Sequence, residues 1–147
     1  MGNNDDAAAS RPGGSRAGQV ALVTGGSAGL GLAIAAAMAR AGSAVVLASR
    51  SAGRCQQAAA RLSAETGRIV NGHGCDVTDE RAVAALVERV LADHGRIDVL
   101  VTSAGVQACG TLDQLDVAAL RACLEVNVVG TWLACRAAAA PSGWTAH

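Results

Sequence analysis

The chain contains neither tyrosine nor lysine, and these two absences limit what its 147 residues can do. Without them, the chain has no phenol and no primary ammonium side chain for acid–base chemistry. All twelve basic residues are arginine and they balance twelve acidic residues, so no basic stripe predicts binding to nucleic acid or to a membrane surface. No window approaches the ~18 uninterrupted apolar residues of a membrane span. With 51% hydrophobic and 16% charged residues, the composition predicts one globular domain.

Cysteine also lacks an informative pattern, because the five residues are scattered, odd in number and without a C-x-x-C spacing. We therefore expect reduced thiols in a cytoplasmic protein. Metal binding by Cys75 with His73 is the alternative, but such pairs are far more often ordinary loop residues, and we predict no metal site. The first six residues are acidic and polar, and they match neither a secretion signal nor the myristoylation pattern.

Three segments differ in composition. Residues 1–17 are mainly small and polar around one proline, which predicts a disordered leader. Residues 18–140 form the predicted domain. Residues 141–147, Pro-Ser-Gly-Trp-Thr-Ala-His, show no strand pattern and are predicted to be an atypical tail.

Strand and helix patterns alternate along the domain. Short aliphatic runs predict two buried strands at residues 20–24 and 44–49, and a fourth strand at 97–102. Residues 69–75 predict a weaker third strand, broken by Gly72 and Gly74. Helical spacing of apolar residues predicts helices at 29–41 and 51–65, a third N-capped by Thr78, a fourth opening with a capping box at 111–114, and a further helical stretch over 126–140. Near-continuous apolar strands between helices predict an α/β fold, a Rossmann-like doubly wound parallel sheet. Right-handed crossovers give the strand order 3-2-1-4.

A glycine-rich turn, Thr24-Gly-Gly-Ser-Ala-Gly-Leu-Gly31, follows the first strand and opens a helix. Glycines permit φ > 0 and allow the backbone to approach a pyrophosphate, which the free N–H groups of the helix start can bind. In this strand–turn–helix context the turn predicts dinucleotide binding. We expect contacts from five of its residues, Gly25, Ser27, Gly29, Leu30 and Gly31.

The choice of dinucleotide depends on the end of the second strand. NAD-type folds place an acid there for the ribose 2′-hydroxyl, but this chain has Ser49 followed by Arg50. A guanidinium attracts a 2′-phosphate through charge-assisted hydrogen bonds, so the sequence predicts NADP(H) in preference to NAD(H). The alternative is that Arg50 is a solvated surface charge.

Together these motifs resemble the short-chain dehydrogenase/reductase family. The TGxxxGxG turn is followed by Cys75-Asp76-Val77 after strand three, by Thr102-Ser-Ala-Gly105 where the family usually has Asn-Asn-Ala-Gly, and by Val126-Asn127 in the next helix. The resemblance covers about residues 19–140. It implies that Asp76 and Val77 contact adenine and that Asn127 is the family's structural and catalytic asparagine. It also implies cofactor contacts from Ser103, Ala104 and Gly105.

The family transfers hydride between a nicotinamide and a carbonyl or secondary alcohol, using a later Ser and a Tyr-x-x-x-Lys. Of that catalytic tetrad, only Asn127 has a counterpart in this chain. The resemblance therefore implies the NADP(H)-binding part of an oxidoreductase that is inactive as written. A catalytically dead NADP(H)-binding module and a nonfunctional truncated remnant are the alternatives.

No other side chain is a strong substitute for the missing tetrad members. His73 and His94 are expected at the adenine side or the rim, His147 belongs to the tail, and Cys109 follows strand four as an ordinary loop thiol. The outer edge of strand four is expected to be unpaired, and exposed edges promote association. We therefore expect a poorly soluble, homo-oligomeric or partly unfolded chain.

Overall fold

A computed structural model describes residues 16–140 of the protein. Most of the predicted leader, residues 1–15, and the predicted tail, residues 141–147, lie outside the described residues. At the start of the described part, the Arg16 backbone N–H donates to the Ala41 carbonyl at 2.8 Å and its guanidinium donates to Gln19 Oε1 at 3.2 Å.

One parallel sheet forms the centre of the described residues. Along the chain the elements are β1 (Val20–Thr24), α1 (Gly29–Arg40), β2 (Ala44–Ser49), α2 (Ala52–Thr66), β3 (Val70–Gly74), α3 (Glu80–His94), β4 (Val99–Thr102), α4 (Val117–Leu124), a π-helix (Glu125–Val129) and α5 (Gly130–Ala139). The strands lie in the order β3-β2-β1-β4, and every pairing is parallel. The prediction of a doubly wound sheet in the order 3-2-1-4 is therefore confirmed.

Successive residues of β1 bury opposite faces of the sheet, because side chains alternate along a strand. Ala21 and Val23 join the core that α1 and α2 cover, whereas Val20 and Leu22 join the core that α3 and α5 cover. All five residues of β1 are buried, as expected for a central parallel strand. β4 lies at one edge of the four-stranded sheet, as predicted.

The predicted N-cap of α3 is wrong by one residue. Asp79, not Thr78, caps the helix, since its Oδ1 accepts the Arg81 and Ala82 N–H groups at 2.9 and 3.2 Å. Thr78 instead donates both its N–H and its hydroxyl to Asp76 Oδ1, at 3.0 and 2.8 Å. The threonine hydroxyl is therefore engaged by a carboxylate, which is a stronger acceptor than a neutral group.

The predicted start of the fourth helix at Thr111 is also wrong. α4 begins at Val117, with Asp116 as its N-cap accepting the Ala119 N–H at 2.6 Å. The Gln114 side chain does accept the Thr111 N–H at 3.4 Å, but it closes only an isolated turn. Leu112 in that turn is 94% exposed, so no packing offsets the cost of helix nucleation there.

β3 has a weak strand pattern in sequence because Gly72 and Gly74 interrupt its apolar residues. The structure nevertheless includes both glycines in the strand. A β-carbon added at Gly72 would overlap the backbone carbonyl of Cys55 in α2. The glycine therefore permits close packing of α2 on the sheet, a requirement that the strand pattern does not show.

The helices after β4 run without interruption over Val117–Ala139, a segment of 23 residues that contains an 18-residue stretch with a mean hydropathy of 1.4. By length and composition alone this segment is long and apolar enough to cross a membrane, and helices from the cores of soluble proteins meet the same criterion. Its buried residues, Gly130, Leu133 and Ala134, lie in α5, where Leu133 and Ala134 pack in the core beside α3. α5 therefore belongs to the layer that covers one face of the sheet, whereas α4 and the π-helix have no buried residue.

Candidate functional site

The loops that follow the four strands surround a cavity of about 640 Å³ at the carboxyl edge of the sheet. In open parallel sheets this edge is where ligands bind. Eleven of the twelve predicted cofactor residues line the cavity, namely Gly25, Ser27, Gly29, Leu30, Ser49, Arg50, Asp76, Val77, Ser103, Ala104 and Gly105. The twelfth, Gly31, lies behind the glycine turn rather than at its surface.

The glycine turn and the loop after β4 almost touch. Gly25 has φ 68°, and a β-carbon there would lie 2.5 Å from the backbone of Ser103 and Ala104. A β-carbon on Gly31 would overlap the Gly25 carbonyl and lie 3.1 Å from Ser103 Oγ. Only glycine permits this approach at both positions, so the turn presents bare backbone to the cavity.

The start of α1 faces the same cavity and lacks an internal partner for its N–H groups. Its N-cap, Ala28, has no side chain that can accept, and its first turn has no acidic residue. Both Ala28 and Leu30 line the cavity. The N–H groups and the positive end of the helix dipole are therefore available to an anion.

Two arginines line the wall formed by the end of β2 and the start of α2. Arg50 follows Ser49, and Arg54 lies in the first turn of α2, which has no acidic residue. The Ser49 hydroxyl donates to the Ser51 carbonyl at 3.3 Å and lies 3.1 Å from Cys55 Sγ. This wall carries no carboxylate that would repel a phosphate.

The wall after β3 contains two groups with shifted pKa values. Hydrogen bonds from the Thr78 backbone and hydroxyl lower the pKa of Asp76, and the charge of Arg50 adds to this effect. Burial raises the pKa of the Cys75 thiol to about 11. Near neutral pH the cavity therefore has an ionised carboxylate beside an un-ionised thiol, and the carboxylate is available as a hydrogen-bond acceptor.

Val77 forms the buried part of this wall and packs against α5. A β-carbon on Gly130 would lie 2.7 Å from Val77 Cγ2. α5 can therefore approach the loop after β3 only because a glycine stands at that position. Sequence reasoning did not identify Gly130, since glycine inside a helix pattern gives no sign of its partner.

Asn127 does not line the cavity but holds a residue that does. Its Oδ1 accepts the Val106 N–H and its Nδ2 donates to the Val106 carbonyl, both at 2.9 Å. Nδ2 also lies 3.3 Å from Cys123 Sγ. The π-helix places Asn127 opposite the loop, and widened turns of this kind are frequent at functional sites.

His73, His94 and Cys109, three residues considered as substitutes for the tetrad, do not line the cavity. His73 lies on β3, and burial lowers its pKa, with a smaller effect from Arg89. His94 ends α3, and its Nε2 is buried with no hydrogen-bond partner in the described part. Cys109 is exposed, and His147 lies outside the described residues. Within residues 16–140 no group of three or more His, Cys, Asp or Glu side chains could hold a metal ion.

Comparison with known proteins identifies this arrangement. A family model described as short chain dehydrogenase matches residues 19–142. The chain belongs to the short-chain dehydrogenase family. The resemblance inferred from the TGxxxGxG turn and the motifs after β3 and β4 is thus confirmed.

Individual members of the family resemble the chain over most of its length. D-threitol dehydrogenase of Mycolicibacterium smegmatis is 39% identical over 120 residues, which is 82% of this chain and 46% of that protein. A short chain dehydrogenase from Burkholderia cenocepacia, solved in complex with NADP, has a TM-score of 0.79 and 39% identity, covering 86% of this chain and 51% of that one. An alcohol dehydrogenase from Thermococcus sibiricus, complexed with 5-hydroxy-NADP, has a TM-score of 0.78 and 37% identity, covering 82% and 51%. The chain thus spans about half the length of the relatives it matches.

The structure adds cavity residues that the motifs did not indicate as cofactor contacts, and these are Ala28, Arg54, Cys75, Val106 and Val126. Four of them adjoin predicted residues in sequence and could have been included by extending the motifs. Arg54 is different, because it lies four residues beyond Arg50 and reaches the cavity from the next helix. The family motifs alone gave no reason to select it.

Proposed function

We propose that this chain binds NADP(H), in preference to NAD(H), as the cofactor-binding part of an oxidoreductase. In its complete form the protein would transfer hydride between the nicotinamide and a small-molecule carbonyl or secondary alcohol. The observation that carries the proposal is the cavity at the carboxyl edge of the sheet. It combines a backbone of glycines with Ser49, at the position where NAD-type folds carry an acid, and with the neighbouring Arg50. The NADP complexes of two solved relatives support it.

The residues present fit a dinucleotide. Gly25 and Gly31 leave no side chain between the turn and the loop after β4, so a pyrophosphate can approach the backbone. The uncapped start of α1 supplies N–H donors and a favourable dipole for its negative charge. On the opposite wall, the ionised Asp76 can accept a hydrogen bond from an amino group such as that of adenine.

The proposed preference for NADP(H) rests on the residues at the end of β2. Ser49 is uncharged and can donate a hydrogen bond, whereas an acid there would repel a phosphate. Arg50 lines the cavity beside it and offers a planar set of donors that matches phosphate oxygens.

When bound, the nicotinamide supplies or accepts the hydride, and this chain's own residues bind and orient the cofactor. Asn127 acts through Val106, whose backbone it holds at two atoms. The family's Tyr-x-x-x-Lys pair is not among the 147 residues, since they include neither tyrosine nor lysine. A second candidate for these 147 residues is an NADP(H)-binding module that binds the cofactor without turnover.

Exchanging the charge at Arg50 tests the cofactor assignment. Arg50→Asp places an acid near the proposed 2′-phosphate, so we expect NADPH affinity to fall at least tenfold relative to NADH affinity. Titration of the 147-residue chain with each reduced cofactor, followed by cofactor fluorescence, measures both dissociation constants. Arg68→Asp makes the same change in net charge outside the cavity lining and should leave the ratio unchanged. An unchanged NADPH/NADH ratio in Arg50→Asp would refute the preference for NADP(H).

Cellular location and assembly follow as further proposals. We propose a cytoplasmic protein, supported by five cysteines that all remain free in the structure. We also propose that the chain forms homo-oligomers, supported by large apolar side chains exposed along the helices after β4: Leu120, Leu124, Val128 and Trp132. Sedimentation velocity over a tenfold concentration range tests this, and a single monomeric species throughout would contradict it. Detection of the chain in cells would argue against a nonfunctional remnant.

A further inference from the structure

Arg54 is a cation at the unfavourable end of a helix. It lies in the first turn of α2, where the helix dipole is positive, and that turn contains no acidic residue. The backbone N–H of Arg54 donates to the N-cap Ser51 at 3.4 Å, so the position of the residue is fixed by the cap. A positive side chain there opposes the dipole, and such local conflicts concentrate at functional sites.

Five arginines of the described chain are paired with carboxylates. Arg40 and Arg61 both contact Glu65, at 3.6 and 3.4 Å, and Arg89 contacts Asp93 at 3.9 Å. Arg96 pairs with Asp98 and Arg136 with Glu80. Among residues 16–140, Arg54 has no carboxylate within 4.0 Å, although it lines the cavity.

A 2′-phosphate can be bound by more than one positively charged donor. A phosphate monoester carries close to two negative charges at neutral pH and binds best to several charge-assisted donors. A second guanidinium beside Arg50 would therefore add to the binding of such a group.

Space for the phosphate continues beyond Arg54. A second groove of about 350 Å³ lies between α1 and α2, and it shares Ser27 and Arg54 with the main cavity. Arg54 therefore lies where the cavity and the second groove meet. Ser27, which carries a hydroxyl, lines both spaces as well.

We propose that Arg54 is a second specificity-determining residue, which binds the 2′-phosphate of the dinucleotide together with Arg50. This inference rests on the proposed function and names the group that completes its phosphate site. The bound phosphate would also neutralise the cation at the start of α2.

The experiment titrates the 147-residue chain with NADPH and with NADH, and compares the wild type with Arg54→Gln. The glutamine removes the charge and keeps a good helix former at an exposed position, so the fold is retained. We expect the dissociation constant for NADPH to rise about tenfold, equivalent to about 1.4 kcal/mol, and that for NADH to change less than twofold. This lies near the low end for charged hydrogen bonds because the side chain is exposed.

Three variants serve as controls. Arg54→Lys keeps the charge and should retain most of the NADPH affinity. Arg54→Met, a second neutral variant, should repeat the loss seen with glutamine. Arg89→Gln removes a charge that Asp93 already pairs with, at a residue that lines neither the cavity nor the second groove, and should change neither constant more than twofold. Competition by 2′,5′-ADP and by 5′-ADP, both measured on every variant, isolates the contribution of the 2′-phosphate.

The outcomes separate the two proposals. Wild-type chain that binds neither dinucleotide overturns the proposed function and this inference together. Wild-type chain that prefers NADPH and loses the preference in Arg50→Asp but not in Arg54→Gln overturns only the role of Arg54. Equal weakening of NADPH and NADH in Arg54→Gln also overturns it, because the contact would then be with a group that both cofactors share.

Discussion

Replacing Gly31 by alanine tests the claim that the site depends on direct backbone contact between the glycine turn and the loop after β4. A β-carbon at Gly31 would overlap the Gly25 carbonyl oxygen and carbon and lie 3.1 Å from Ser103 Oγ. Gly25 is itself confined, since it packs against the Ser103–Ala104 peptide. The turn therefore cannot move aside without also separating from the loop.

The expected loss of stability follows from the backbone atoms that the added β-carbon would meet. Overpacking a buried position typically costs about 1–3 kcal/mol, and backbone atoms yield less readily than a flexible side chain, so we expect a loss of about 3 kcal/mol. Against a typical domain stability of roughly 5–15 kcal/mol this is a large fraction. NADPH binding should weaken as well, because the displaced turn no longer presents its backbone to the pyrophosphate.

Urea unfolding followed by circular dichroism measures the stability loss. With a slope of about 2 kcal/mol per molar urea, a loss of about 3 kcal/mol lowers the midpoint by about 1.5 M. Gly53→Ala is the matched control, because its added β-carbon meets no atom within 4 Å and the residue lies inside α2. That change should raise stability by about 0.5–1 kcal/mol.

The reasoning would be refuted by a Gly31→Ala chain whose urea midpoint and NADPH affinity equal those of the wild type. A loss of stability in Gly53→Ala as large as that in Gly31→Ala would also contradict it, because the effect would then reflect any added methyl group.

Two further predictions follow from the walls of the cavity. The Cys75 thiol has its pKa raised from 9.0 to about 11 by burial, so the unfolded chain loses this proton first as the pH rises. The free energy of unfolding should therefore fall between about pH 9 and 11, and urea melts of Cys75→Ala should lack that part of the slope; equal slopes would contradict the shift. Asn127→Asp keeps an acceptor for the Val106 N–H but sets a carboxylate against the Val106 carbonyl, at a cost of about 1–3 kcal/mol. Hydrogen exchange at the Val106 amide should accelerate in this variant. Unchanged protection would argue that the Asn127 side chain does not hold the Val106 backbone in place.

Much of the fold was predictable because its signals are local. The aliphatic runs at 20–24 and 44–49 are long enough only for strands, and both strands begin and end where the sequence placed them. The glycine turn was equally easy to predict, since a strand, several glycines and the start of a helix lie within thirteen residues. Eleven of the twelve predicted cofactor residues line one cavity because parallel strands bring the loops that follow them to the same edge.

Helix starts were harder to place, because several residues of one loop can act as the cap. Thr78 and Asp79 are both suitable N-caps, and only the hydrogen bonds of Thr78 to Asp76 assign the cap to Asp79. Likewise, Thr111 has a capping-box spacing, but Asp116 is the residue that caps the helix, since its Oδ1 accepts the Ala119 N–H.

The sequence by itself determined the bounds of β1 and β2, the glycine-rich turn and the absence of an acid at the end of β2, because each depends on neighbouring residues. Only the tertiary structure decided which distant residues meet. It brought Gly130 against Val77, Gly72 against α2, and Arg54 to the wall of the cavity. Such contacts depend on how closely helices approach the sheet, and no spacing within one element specifies that distance.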